Sequence, residues 1–184
     1  MTGKLLADIF QDGMVLPIYK DFRLGGQTAS GAVVTVSFAG RDYQSQADEQ
    51  GHWQILLPAY DKQELNELTV ASHGQKQTLK NLHFGRVILF SGQSNIEYRL
   101  KDDAEFAQAK AELAAGSHPK LYYYNCPQID YRDPETGAVK PDVAEEKWQE
   151  VDAETAGDMS AIGFYCLATV SYTHLRAHET RSNV

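Results

Sequence analysis

Hydrophobic and polar positions alternate along the first part of the chain. Val34, Val36 and Phe38 are separated by Thr35 and Ser37, the period of a half-buried strand. Gly40 and Arg41 break that run, and residues 42–47 predict its returning partner. Asp48, Glu49, Gln50 and Gly51 form a turn cluster, followed by a further strand over 52–57. Residues 68–72 and 75–82 flank His73 and Gly74, a pair suited to a tight hairpin because glycine accepts positive φ. Short strands at this spacing, without helical periodicity, predict an antiparallel β-sandwich over residues 1–84.

The pattern changes after Gly85. Val87, Ile88, Leu89 and Phe90 are continuously apolar, as in a parallel strand covered on both faces. A small polar loop follows, then a helix over 102–115. Asp102 and Glu105 are placed as its N-terminal cap pair and Gly116 as its C-cap, with Phe106, Ala109 and Leu113 on one face. Residues 120–125 predict a second strand, parallel to 86–90, which completes a βαβ unit. A loop rich in Pro, Asp and Glu spans 127–146, and another helix starts within 160–168.

Composition narrows the function. The 184 residues are 42% hydrophobic and 23% charged, enough for a packed core, and the net charge is −8. An acidic chain argues against nucleic acid or an anionic membrane as partner. No apolar stretch is long enough to cross a membrane and no signal peptide is read, so the expectation is a cytoplasmic protein. Cys126 and Cys166 are read as reduced, mostly buried thiols, and no cofactor is expected.

Ser94 is the candidate for chemistry. A nucleophilic serine needs an exposed Oγ, backbone N–H groups aimed at the developing oxyanion, and a base. A tight loop at the carboxyl end of a buried strand supplies the first two, and Ser94 lies four residues after Phe90 in such a loop. Gly92 allows a sharp turn. The elbow G-x-S-x-G is not met, because Ile96 stands at its last position. On Gly92 to Asn95 alone, a serine that simply turns a loop is the ordinary reading.

The surroundings alter that reading. Ser91-Gly92-Gln93-Ser94-Asn95-Ile96-Glu97-Tyr98 resembles the nucleophile segment of the sialate O-acetylesterase family, carbohydrate esterases of the SGNH hydrolase superfamily. Residues 6–16, the turn 47–53 (A-D-x-x-G-x-W), Trp148 and the run 160–165 resemble further blocks of that family, in order, over about 5–168. The resemblance implies an incomplete α/β hydrolase domain, of the three-layer α/β/α SGNH type, over residues 85–168. It implies Ser94 as nucleophile, forming an acetyl-enzyme that water cleaves, with its own N–H in the oxyanion hole. Gln93, which stands where related hydrolases carry Asp, and Asn95 are the implied substrate-binding residues. The implied partner is an O-acetylated sugar or glycan. Glu97 is read as a loop carboxylate without a catalytic role.

The family's later blocks are not found. A W-G-G-T-type segment, a G-E-S-N-type segment and a late Asp-x-x-His-like pair are all absent from the chain. After Ala168 the text resembles translated sequencing-adapter DNA, so 169–184 is read as an artefactual tail. Within it His174 and His178 have helical ligand spacing, but Leu175 stands where H-E-x-x-H needs Glu, and no metal site is read. The other four histidines, His52, His73, His83 and His118, are assigned to exposed turns or loops. Tyr122, Tyr123 and Tyr124 are assigned to packing, and Asp130 and Asp133 to solvated charge. The expectation is a carbohydrate O-acetylesterase whose 184-residue chain is an inactive fragment. The alternative is a non-catalytic carbohydrate-binding fragment.

Overall fold

The computed structural model describes residues 4–92, 94–117, 120–126 and 147–169. They are mostly sheet, and the chain forms two compact units: residues 1–88 with 146–148, and residues 89–145 with 149–184.

The first unit contains β1 (Val15–Pro17), β2 (Phe22–Gln27), β3 (Val33–Phe38), β4 (Arg41–Gln46), β5 (His52–Leu57), β6 (Glu64–Ser72) and β7 (Gln75–Gly85). Five of these form one sheet in the order β1-β7-β6-β3-β4, while β2 and β5 pair separately. The alternation read along β3 is met: Val34, Val36 and Phe38 are buried. Trp53, Ile55 and Leu57 alternate inward on β5 in the same way. The inward residues of both sheets form one cluster, in which the Phe22 and Phe38 rings meet edge to face at 5.5 Å. The one indole inside it is satisfied, since Trp53 Nε1–H donates to the Leu5 carbonyl at 2.9 Å.

The β6–β7 hairpin closes at Ser72 and Gln75 through His73 and Gly74, both at positive φ. Two left-handed residues match the twist of the flanking strands, and glycine carries the second without strain. Three features differ from the sequence reading. Strands β1 and β2 went unread, and β1 pairs with β7 in parallel, so the sheet is mixed rather than wholly antiparallel. Strands β6 and β7 are longer than their apolar cores suggested. His83 lies within β7, half-buried, and not in a turn.

The second unit contains the one-turn helix α1 (Ser94–Glu97), a 3₁₀ turn at Leu100–Asp102, α2 (Phe106–Ala114), β8 (Tyr122–Tyr123), β9 (Gln149–Glu150) and a 3₁₀ turn at Ala156–Asp158. Residues 161–169 are helical. Leu100, Ala109, Tyr123, Ala156, Met159 and Phe164 belong to its core.

The expected parallel pairing of 86–90 with 120–125 does not form. Residues 86–90 carry no strand, and Val87, Ile88 and Leu89 are 50%, 43% and 81% exposed. A continuous apolar run shows only that a segment can be buried on both faces, not which strand it will pair with. Here β8 pairs instead with β9, antiparallel, with Tyr122 opposite Glu150 and Tyr123 opposite Gln149. The helix read over 102–115 begins at Phe106. Asp102 sits in the preceding 3₁₀ turn, and the first cap contact comes from Asp103, whose carboxylate accepts the Glu105 N–H at 2.9 Å. Gly116 follows the helix at φ 67°, where the C-cap was expected. Cys126 is exposed and Cys166 half-buried, both free, so the expectation of two buried thiols fails at Cys126.

Candidate active site

Ser94 opens α1, and both it and Asn95 are exposed. A β-carbon on Gly92 would stand 2.7 Å from Ile96 Cγ1, so the Ile96 side chain occupies the space a larger residue would need. A larger residue at 92 would therefore force the Ile96 side chain to shift. Ile96 itself is half-buried. Gln93 lies outside the described residues.

The chain leaving α1 is held firmly. The Ala161 N–H donates to the Tyr98 carbonyl at 2.9 Å, and the Leu100 N–H donates to the Met159 carbonyl at 2.9 Å. Arg99 and Ser160 form an antiparallel bridge between these two bonds. Leu100 is fully buried beneath them. Arg99 Nη1 and Lys101 Nζ converge on one oxygen, Asp158 Oδ1, at 3.0 and 2.8 Å. The Lys101 hydrogen bond, supported by Arg99 and opposed by partial burial, holds the Asp158 carboxyl below its ordinary value of 3.8. The Tyr98 hydroxyl donates to the Asp102 carbonyl.

The described residues of this unit include no histidine, and no hydrogen bond to Ser94 Oγ is found among them. Three of their carboxylates have other duties. Asp158 binds Arg99 and Lys101. Asp103 accepts the Tyr165 hydroxyl at 2.9 Å. Asp152 accepts the Thr155 and Glu154 N–H groups, both at 2.8 Å, which hold it below the ordinary carboxylate value. Glu97 ends α1, exposed. Tyr123 is buried, with its hydroxyl donating to the Thr155 carbonyl at 2.8 Å, which is a packing role.

Other sequence candidates are separate from Ser94. His52, His73 and His83 belong to the first unit. His118, His174, His178, Asp130 and Asp133 lie outside the described residues. No group of three His, Cys, Asp or Glu side chains able to hold a metal occurs among the described residues. None of their helices is long and apolar enough to cross a membrane. The sequence reading missed Asp158 and the strap 158–161. The run 160–165 was read only as the opening of a helix, and nothing in a single sequence links residues 59 positions apart.

No family model matches the chain, and no curated protein matches it. Among solved structures, the crystal structure of XAC1771, described as a novel carbohydrate acetylesterase from Xanthomonas citri, matches with a TM-score of 0.65 at 23% identity. The match covers 87% of this chain and 35% of that one, so this chain spans about a third of the length of that structure. The shared property is the fold: this chain has the fold of part of that structure.

Proposed function

We propose that the chain carries the nucleophile-bearing part of a carbohydrate O-acetylesterase, with Ser94 as nucleophile. The observation that carries this reading is the exposure of Ser94 at the head of a one-turn helix, behind a glycine packed against Ile96, in a chain whose fold matches part of a carbohydrate acetylesterase.

The chemistry follows from the serine. Its Oγ attacks the acetyl carbonyl of an O-acetylated sugar, and a base takes the hydroxyl proton as the C–O bond forms. The tetrahedral oxyanion is held by the Ser94 N–H and further donors, and collapses as the protonated base gives its proton to the sugar oxygen, which breaks the bond to the sugar, expels the sugar alcohol and leaves acetyl on Ser94. Water, deprotonated by the same base, then releases acetate. Gln93 and Asn95 flank the serine and contact the substrate. The sialate O-acetylesterase assignment and the three-layer α/β/α architecture belong to this proposal, as does the reading of the first unit as an accessory β-sandwich. Residues 1–84, 85–168 and 169–184 are its segments.

The base and part of the oxyanion hole are supplied from outside the described residues. General-base catalysis contributes about 10²–10⁴-fold, and one oxyanion donor about 10²–10³-fold in kcat. The 184-residue chain alone is therefore expected to hydrolyse p-nitrophenyl acetate at background rate. A protein in which residues 1–168 continue into a complete hydrolase domain is expected to turn over acetylated sugar and to lose that activity on Ser94→Ala. Activity that survives Ser94→Ala contradicts the assignment.

A further inference from the structure

Ser94 has few contacts of its own, so its position depends on what anchors the chain on either side of α1. On the C-terminal side the anchor is compact. Tyr98, Arg99, Leu100 and Lys101 alternate between two duties. Tyr98 and Leu100 exchange backbone hydrogen bonds with Ala161 and Met159, at 2.9 Å each. Arg99 and Lys101 reach to the same side and share Asp158 Oδ1. Asp158 is fixed in turn, because it ends a 3₁₀ turn whose Ala156 is fully buried, and its carbonyl accepts Asn125 Nδ2 at 3.2 Å. One carboxylate thus joins two cations that flank the buried Leu100, just beyond the end of α1.

We propose that Asp158 is a positioning residue for the Ser94 turn, acting through Arg99 and Lys101. The proposal rests on the reading of Ser94 as nucleophile, but its test does not use activity. In the full chain, Asp158→Asn keeps the shape and removes the charge. The Leu100 and Ala161 amides are expected to exchange with solvent about three- to tenfold faster, the range set by two half-exposed ion pairs. The backbone resonances of Ser94 to Glu97 are expected to shift with them. Asp158→Glu should restore both, and raised salt should reproduce the loss in the unchanged chain, because it screens exposed charges. Faster exchange at Leu100 and Ala161 with unmoved Ser94–Glu97 resonances overturns the proposal and leaves Asp158 a purely structural role. Unchanged exchange overturns it as well. Neither result bears on whether Ser94 is the nucleophile.

Discussion

Ile96 lies against the α-carbon of Gly92, so close that a β-carbon there would come within 2.7 Å of its Cγ1. Gly92→Ala is expected to destabilise the chain by about 0.5–1.5 kcal/mol, the cost of pushing the Ile96 side chain off its rotamer, since Gly92 itself is exposed. Most of that loss should vanish when Ile96→Ala is made alongside. Urea unfolding of the two single variants and the double variant measures the coupling. Equal losses in both backgrounds would show that the contact is not the reason for the glycine.

Leu89 and Leu100 stand on either side of α1 with opposite environments. Leu89 is 81% exposed, whereas Leu100 is fully buried. Leu100→Ala should cost about 2–5 kcal/mol. Leu89→Ala should change stability by no more than about 0.5 kcal/mol, as is usual for an exposed site. A large loss from Leu89→Ala would mean that the apolar run 86–90 is packed in solution.

Tyr165 provides a pH signature. Partial burial, then the hydrogen bond and charge of Asp103, raise its hydroxyl from an ordinary 10.0 to about 12. A folded-state value above the unfolded one means that the neutral phenol is favoured by the fold. Its contribution is complete below pH 10.0 and is lost as pH rises to about 12. Tyr165→Phe should remove a step near pH 12 from an alkaline ultraviolet titration, and Asp103→Asn should move that step to lower pH. Asp158 has the opposite sign. Its lowered value makes its contribution complete above 3.8 and lost as pH falls through the folded-state value, so Asp158→Asn should flatten the acid limb of stability.

The β elements were legible because alternation at period two is a local property. Val34, Val36 and Phe38 declare an inward face without reference to anything distant. Strand β1 was not legible, since three residues carry no period, and its parallel partner His83–Gly85 is far away in sequence. The run 86–90 misled for a related reason. Apolar character shows what a segment can bury but not which strand it will meet, and β8 pairs with β9 instead. At the candidate site, Gly92 to Asn95 alone read as an ordinary loop, and Ser94 was singled out only by the resemblance of the longer segment 91–98 and the separated blocks around it. The anchoring role of Asp158 was not legible, because Arg99 and Lys101 meet it only after the chain has folded back.

The central claim is that Ser94 is a placed nucleophile without its base, and covalent labelling with a fluorophosphonate tests it most directly. The 184-residue chain should be labelled slowly, and imidazole added as an external base should accelerate the reaction. Peptide mass spectrometry should locate the adduct on Ser94 in preference to other serines, and Ser94→Ala should remove it. An adduct spread over other serines, or one unaffected by Ser94→Ala, would contradict the assignment of the nucleophile. Rapid Ser94 labelling without imidazole would contradict the missing base.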